Sequence, residues 1–372
     1  MSKSIRISVN PDVLKWAREE AGYLTSSIAQ KLKVEETTYL HWEQTGKNIP
    51  FSYIKKIAST LKRQIAVFFL PHVPSKTKKP KDFRNLKFVS AQLSPSTYLA
   101  IRRARKFQEI LLDLNGAEYY QKKYSWLVEY YRFFGERTLT KDEVTYWTRQ
   151  KLQYSIDDQM RDKNIEEFYK NLRDAFEVEL GINVFQLRMP EAEIQGFCYS
   201  DNVPYCIVVN NKYSTSSKIF TLFHELGHIL KKQSGICLPD KVTEDEPLEL
   251  EFNSFAGKTL LPQTVVVPLH TKDEIYTYAR KCKVSSEVYL RRQKSLGLVN
   301  TDEFFSLLDE IRISVKPSSK RGSGRATPVQ KSINSRGWTL FNSVIAAMHG
   351  NRMSYHQAYD ILGVKVNHLL PM

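Results

Sequence analysis

Three residues near the middle of the chain have the types and spacing of a metal site. His224, Glu225 and His228 stand in the order H-E-x-x-H, and on a helix this spacing puts both imidazoles on one face, one turn apart. Two neutral imidazoles so placed can bind zinc, and the adjacent carboxylate can act as general base for a metal-activated water. The alternative is a core helix whose histidines are bonded to polar neighbours. That arrangement is costly, because it buries two imidazoles and a carboxylate.

The surrounding pattern predicts the elements that position this motif. Apolar residues recur from Ile219 to Leu230, which indicates a buried or half-buried helix, with an N-cap at Ser216 or Ser217. Three short segments rich in β-branched and aromatic residues precede it: INVFQLRM, IQGFCYS and PYCIVVN. We expect them to form a small sheet that leads into the helix, and an edge strand of such a sheet can hold an extended peptide.

Composition limits the classes of protein. The chain has 372 residues, enough for two or three domains, and 42% of them are hydrophobic, which is typical of a folded protein. We predict a cytoplasmic protein without a membrane partner, since no signal peptide or membrane span is apparent. With 55 basic and 40 acidic residues, the net charge is +15, which favours contact with nucleic acid or an acidic partner. The four cysteines are expected to be reduced.

The first 71 residues read as a run of short helices. Asn10, Pro11 and Asp12 form a helix start, and the later order of Ile28-Ala29, Leu32, Val34, Tyr39, Trp42-Glu43 and Gly46 resembles the helix-turn-helix of the Xre/Cro repressor class. The resemblance implies that a second helix, beginning near Glu35, lies in the DNA major groove. The DNA contacts it implies are Lys31, Lys33, Thr37, Thr38, His41 and Lys47. The alternative is a helical bundle that serves only protein contacts.

A third protein ligand is needed to complete a zinc site. The metzincin extension is excluded, because Lys231 and Ser234 stand where it requires Gly and His. A glutamate on a following helix is the other common solution, and both Glu249 and Glu251 begin such a helix. Candidate donors to the oxyanion of a substrate are Tyr213, Tyr205 and His270.

The segments VVN, KIFTLFHELGHIL and EFNSFAGKTLLP together resemble the ImmA/IrrE family of metallopeptidases. The resemblance implies zinc as cofactor, His224, His228 and Glu251 as ligands with Glu249 as the second choice, and Glu225 as the catalytic base. Phe252 stands where the family usually has Ala, and Asp82 to Arg84 resemble the start of the family's peptidase domain. The resemblance also implies a cytoplasmic endopeptidase that cleaves a repressor, or a relative that acts as an antitoxin or as a regulator of mobile elements.

We therefore predict an α+β, mostly helical protein. The predicted divisions are a helix-turn-helix domain at 1–71, a five-helix bundle; a basic linker at 72–93; a zincin-like peptidase domain at 94–312; a flexible basic linker at 313–332; and a C-terminal helical element at 333–372. The main functional hypothesis is a zinc endopeptidase that regulates transcription by cleaving a repressor or other protein partner. The first alternative is a DNA-binding repressor or antitoxin whose zincin-like domain binds a partner such as a toxin without proteolysis. A second alternative is self-cleavage in the basic linkers.

Overall fold

The structure is a computed structural model that describes residues 5–75, 93–135, 138–232, 247–314 and 326–369, together with the backbone of 236–237. These residues are mostly helical and include two small sheets, which confirms the predicted α+β, mostly helical class. None of the described helices has the length and apolar character needed to cross a membrane. The described residues up to Arg105 form one compact unit, and those from Lys106 onward form a second.

The first unit is built from short helices around one apolar core. Its helices are α1 (Pro11–Glu19), α2 (Thr25–Leu32), α3 (Glu36–Thr45), α4 (Phe51–Leu61), a 3-10 helix (Ile65–Phe69) and the first half of α5 (Pro95–Asn115). The Asn10 side chain accepts hydrogen bonds from the first turn of α1, with proline at its start, as predicted. A two-residue antiparallel pair, β1 (Arg6–Ile7) with β2 (Ile49–Pro50), was not predicted.

The second unit contains the remaining helices and a four-stranded sheet. Its helices are α6 (Ala117–Lys123), α7 (Ser125–Phe134), α8 (Asp142–Lys151), α9 (Ile156–Arg161), α10 (Ile165–Val178), α11 (Thr215–Leu230), α12 (Pro247–Leu260), α13 (Lys272–Lys281), α14 (Ser286–Ser295), α15 (Thr301–Ser314), α16 (Pro328–Arg336), α17 (Trp338–His349) and α18 (Tyr355–Leu362). Short 3-10 helices occur at Gln263–Val265 and Val366–His368.

The sheet has the three predicted strands and one more. The strands β3 (Asn183–Leu187), β4 (Gly196–Tyr199), β5 (Cys206–Asn210) and β6 (Ile236–Cys237) lie in the order β3-β5-β4-β6. β3 runs parallel to β5, whereas β4 is antiparallel to β5 and β6. The strand β6 therefore lies beyond β4, which was not expected from the sequence.

Side chains from two helices hydrogen-bond with the outer edge of β3. The amide of Val184 donates to Glu177 of α10, and its carbonyl accepts from Arg173. The carbonyl of Gln186, on the same edge, accepts from Ser335 of α16. Glu177 also accepts from the Thr339 amide at 2.8 Å. These bonds satisfy main-chain groups on the side of β3 where the described residues supply no strand, and they join the C-terminal helices to the sheet.

The helix α11 carries the H-E-x-x-H motif and packs against β4, β5, α10 and α12. Its N-cap is Ser214, whose hydroxyl accepts from the Ser217 amide at 3.2 Å. The prediction of a cap at Ser216 or Ser217 was therefore wrong by two or three residues. From Leu222 to Leu230 every residue of the helix is buried, so the motif lies in the core and not on a solvated face.

The predicted divisions of the chain are finer than the two compact units. The residues described between 326 and 369 belong to the same unit as α11 and the sheet. The basic linkers fall mostly outside the described residues, as do Asp82 to Arg84 and the acidic segment from Asp240 to Glu246.

Candidate metal centre

Two histidines from α11 and one glutamate from α12 meet in the core of the second unit. His224 Nε2 lies 3.3 Å from His228 Nε2 and 3.2 Å from an oxygen of Glu249. The other oxygen of Glu249 lies 3.5 Å from His228 Nε2. All three residues are buried. Two imidazoles and a carboxylate therefore direct their donor atoms toward one small space.

The spacing of these donor atoms fits a tetrahedral ion. Donors bound to zinc at about 2.1 Å in a tetrahedral arrangement lie about 3.4 Å from one another. The three distances here, from 3.2 to 3.5 Å, match one face of such a tetrahedron. His₂Glu is also a donor set used by catalytic zinc sites, which leave the fourth position for water or substrate. His224, His228 and Glu249 together thus suit a divalent ion such as zinc.

Neighbouring groups favour the neutral, ligating form of the imidazoles. His224 Nδ1 lies 2.9 Å from Asn253 Oδ1; since an amide oxygen only accepts, Nδ1 carries the proton and Nε2 keeps its lone pair. Burial, followed by the proximity of His224, holds the pKa of His228 well below its usual value. Asn253 thus fixes the tautomer and ring orientation of His224.

Glu225 is fully buried beside the two histidines, between α11 and β4. A Cβ built on Gly196 of β4 would lie 3.6 Å from Glu225 Oε1 and only 2.5 Å from Thr221 Cγ2. The same Cβ would lie 2.7 Å from the Val208 carbonyl oxygen. A side chain at Gly196 would therefore crowd the strand and the helix turn that carries Glu225. Glycine permits this close approach.

Glu251, predicted as the third ligand, does not join the cluster in the structure. Its carboxylate accepts from the Leu139 amide at 2.5 Å and lies 3.4 Å from Lys231 Nζ. Positions 249 and 251 differ by about 200° around a helix, so only one of them can face α11. Glu249, the second choice from the sequence, occupies that face.

Phe252 packs against both imidazoles. Its ring centroid lies 5.8 Å from that of His224 and 4.2 Å from that of His228. It also fills the space in front of Gly227, where an added Cβ would lie 2.9 Å from the ring. The ring thereby excludes water from one side of the cluster, and the lack of a side chain at Gly227 lets α11 and α12 approach closely.

The proposed oxyanion donors contact other groups. The Tyr213 hydroxyl donates to the Glu191 carbonyl at 2.5 Å, and Tyr205 stacks on Tyr124 with ring centroids 4.3 Å apart. His270 pairs with Glu303 at 2.5 Å. Each of these three residues is therefore engaged with a group outside the cluster.

The residues predicted to contact DNA are exposed on the first unit. Lys31 lies on α2, while Thr37, Thr38 and His41 lie on α3, which begins where predicted, directly after Glu35. Two further lysines lie at the turns that follow α2 and α3, Lys33 and Lys47. The exposed Glu35 and Glu36 stand at the start of α3, where carboxylates would repel phosphates.

Two residues of the site were not assigned from the sequence: Asn253, which orients His224, and Gly196, which accommodates Glu225. Asn253 lies four residues after Glu249, so the two share one face of α12. This four-residue spacing is the sequence signal that could have identified Asn253. Nothing in the local sequence links Gly196 to α11, because their contact depends on how the sheet packs.

Comparison with protein families identifies one part of the chain. Residues 177–294 match a peptidase family, M78, described as an IrrE N-terminal-like domain. The matched stretch contains β3 to β5, α11 and α12, and therefore His224, His228 and Glu249. Neither a curated protein nor a solved structure matches the chain.

Proposed function

We propose that this protein is a zinc-dependent endopeptidase that acts on a protein partner in the cytoplasm. The observation that carries the proposal is the buried cluster of His224, His228 and Glu249, with Glu225 next to it on the same helix. A purely structural zinc site closes its fourth position with another protein ligand. Among the described residues only these three form a metal-binding group, and the match to a peptidase family agrees with a catalytic role.

Each residue of the site has its own role in the proposed reaction. Zinc bound by the three side chains would supply Lewis acidity and lower the pKa of a water molecule toward neutrality. Glu225 accepts the proton of the attacking water and returns it to the leaving amine nitrogen. Asn253 holds His224 in the ligating tautomer, and Phe252 keeps one side of the site dry.

The experiment that tests this function replaces Glu225 by Gln. The product of the adjacent gene, taken as the candidate partner, is incubated with wild-type and variant protein, with and without chelator. We expect the variant to retain its zinc and lose cleavage, because only the base is removed. Glu310→Gln is the control, since that residue lies on α15, outside the cluster, and should leave cleavage unchanged. Cleavage retained by Glu225→Gln would refute the assignment; a stable, uncleaved complex would favour the partner-binding alternative.

We further propose that the first unit binds DNA through α2, α3 and their following turns. Support comes from the resemblance to the Xre/Cro class and from the exposure of Lys31, Lys33 and Lys47. Replacing each lysine by alanine should weaken binding to promoter DNA similarly for all sequences and reduce the salt dependence. Replacing Thr37 or His41 should instead change the sequence preference. Unchanged binding in all these variants would indicate a protein-interaction module.

A further inference from the structure

A cavity of about 450 Å³ lies among α11, α12 and α14, next to the cluster of His224, His228 and Glu249. Phe220, one helical turn before His224, forms part of its wall. Asn253, one turn after Glu249, forms another part, and its amide oxygen is the group bonded to His224. The cavity therefore adjoins the cluster along both helices that supply the donor atoms. A substrate segment extending from the site would have its side chains within reach of this space.

The cavity is lined by three cations and one anion. Lys258 belongs to α12, and Arg291, Arg292 and Glu287 belong to α14. The Glu287 carboxylate is already paired with two guanidinium groups, those of Arg291 and Arg312, each at 2.9 Å. It therefore cannot balance the charges of Lys258 and Arg292. In the described part of the chain, the ion-pair partner of Lys258 Nζ is the solvent-exposed Asp142 at 3.4 Å, and Nζ also donates to the Thr140 carbonyl at 2.5 Å.

Arg292 is the most informative of these residues. Only 5% of it is exposed, yet among the described residues no carboxylate lies within ion-pair distance of its guanidinium. Nε donates to the Leu261 carbonyl at 2.8 Å and Nη1 donates to the Ser295 hydroxyl at 3.1 Å. No acceptor in the described part of the chain takes a hydrogen bond from Nη2. Burial is the largest influence on the pKa of Arg292 and lowers it, while the carboxylate of Asp142, which lies beyond ion-pair distance, raises it.

Burying a cation that has no counter-ion within ion-pair distance is costly. Arg149, elsewhere in the unit, is similarly buried, but its guanidinium is bonded to three main-chain carbonyls and the side-chain oxygen of Gln159. Arg292 has fewer acceptors, and it faces a cavity large enough to admit a side chain. The N–H groups of Arg292 that have no acceptor fit a carboxylate, because a planar fork of N–H groups binds a carboxylate well.

We propose that this cavity is a specificity subsite for a carboxylate side chain, Asp or Glu, of the protein substrate close to the scissile bond. This inference rests on the proposed peptidase function for the meaning of the site. The carboxylate pairs with Arg292, and Lys258 and Arg291 add to the positive potential. Phe220 contacts the apolar part of the same side chain. The subsite selects acidic sequences because neutral side chains leave Arg292 buried without an anion.

The test uses binding, which does not depend on cleavage. Full-length Glu225→Gln protein loaded with zinc is applied to an array of end-blocked hexapeptides of varied sequence. The peptides are printed in pairs that differ by Glu or Gln at one position. We expect the Glu member of the bound pairs to bind about tenfold or more tightly, the value of one charge-assisted hydrogen bond. That preference should disappear in Arg292→Met and persist in Arg161→Met, whose side chain is 75% exposed.

Two results would overturn the proposal: equal binding of Glu and Gln peptides, or a preference that survives Arg292→Met. If Arg292→Met does not fold, as judged by thermal unfolding, the double variant Lys258→Met, Arg291→Gln replaces it. That variant must reduce the preference at least threefold, and an unchanged preference counts against the subsite.

A parallel digest of a proteome-derived peptide mixture by wild-type protein separates the two proposals. Cleavage without acidic preference refutes the subsite and keeps the peptidase. No cleavage, with an Arg292-dependent preference on the array, refutes the peptidase and keeps an anion-binding subsite.

Discussion

Replacing each of the two glutamates of α12 by glutamine, one at a time, decides which of them binds the metal. Glu249 has both oxygens within 3.5 Å of histidine Nε2 atoms, whereas Glu251 bonds Leu139 and Lys231. Gln has nearly the same shape as Glu but carries no charge, so Glu249→Gln removes the anionic ligand without creating a cavity. Loss of an outer partner of a metal ligand typically costs 10–100-fold in affinity, and loss of the ligand itself should cost more than about 100-fold.

Glu251→Gln is the matched variant on the same helix. It loses the ion pair with Lys231 but retains an oxygen that can accept from the Leu139 amide. We expect zinc affinity within about twofold of wild type and a loss of about 1 kcal/mol in the free energy of unfolding, the scale of a partly exposed ion pair.

Zinc affinity is measured by competition with a chromophoric chelator, and zinc content by elemental analysis after dialysis. Circular dichroism confirms that both variants are folded. The reasoning is refuted if Glu251→Gln releases the metal while Glu249→Gln retains it. Equal loss in both variants would point to an effect on the packing of α12 and not to ligation.

Three further variants probe the surroundings of the cluster. Asn253→Ala should lower zinc affinity about 10–100-fold, measured by chelator competition, because His224 loses the acceptor that fixes its tautomer. Gly196→Ala should destabilise the protein by about 1–3 kcal/mol in denaturant unfolding, because the new methyl group would overlap Thr221; unchanged stability would contradict the close contact. Glu287 is partly buried, which opposes ionisation, but its two arginine partners hold its pKa below the usual 4.5. Its ion pairs therefore stabilise the protein above the unfolded-state pKa and are lost as the pH falls through the folded-state pKa. The stability difference between wild type and Glu287→Gln should accordingly be largest near neutral pH and shrink below about pH 4.5.

Much of the site could be predicted from the sequence, because its signals are local. The histidine helix and the three strands before it follow from apolar periods of 3.6 and 2 residues, and the H-E-x-x-H spacing determines that both imidazoles share a face. The choice between Glu249 and Glu251 depends on which face of α12 meets α11. Motif similarity favours Glu251, whereas helical phase relative to Asn253 favours Glu249, the residue that the structure places beside the histidines.

Other features depend on contacts between distant segments, which no local pattern encodes. The strand β6 is only two residues long, too short to show a period. The cavity requires α14 to pack beside α11 and α12, and the burial of Arg292 is a result of that packing. The sequence pattern around Arg292 indicates only a helix with charged residues, so neither its buried position nor its lack of a counter-ion could be predicted.

The bonding along the outer edge of β3 has a consequence for how this protein can be divided. The stretch shared with the peptidase family ends at residue 294, but Ser335 and Thr339 lie beyond that point and donate to Gln186 and Glu177. A fragment cut at the family boundary would present an uncovered strand edge, the kind of surface through which polypeptides self-associate. The matched stretch is thus smaller than the set of elements that cover this edge of the sheet. A soluble fragment that carries His224, His228 and Glu249 would have to retain α16 and α17.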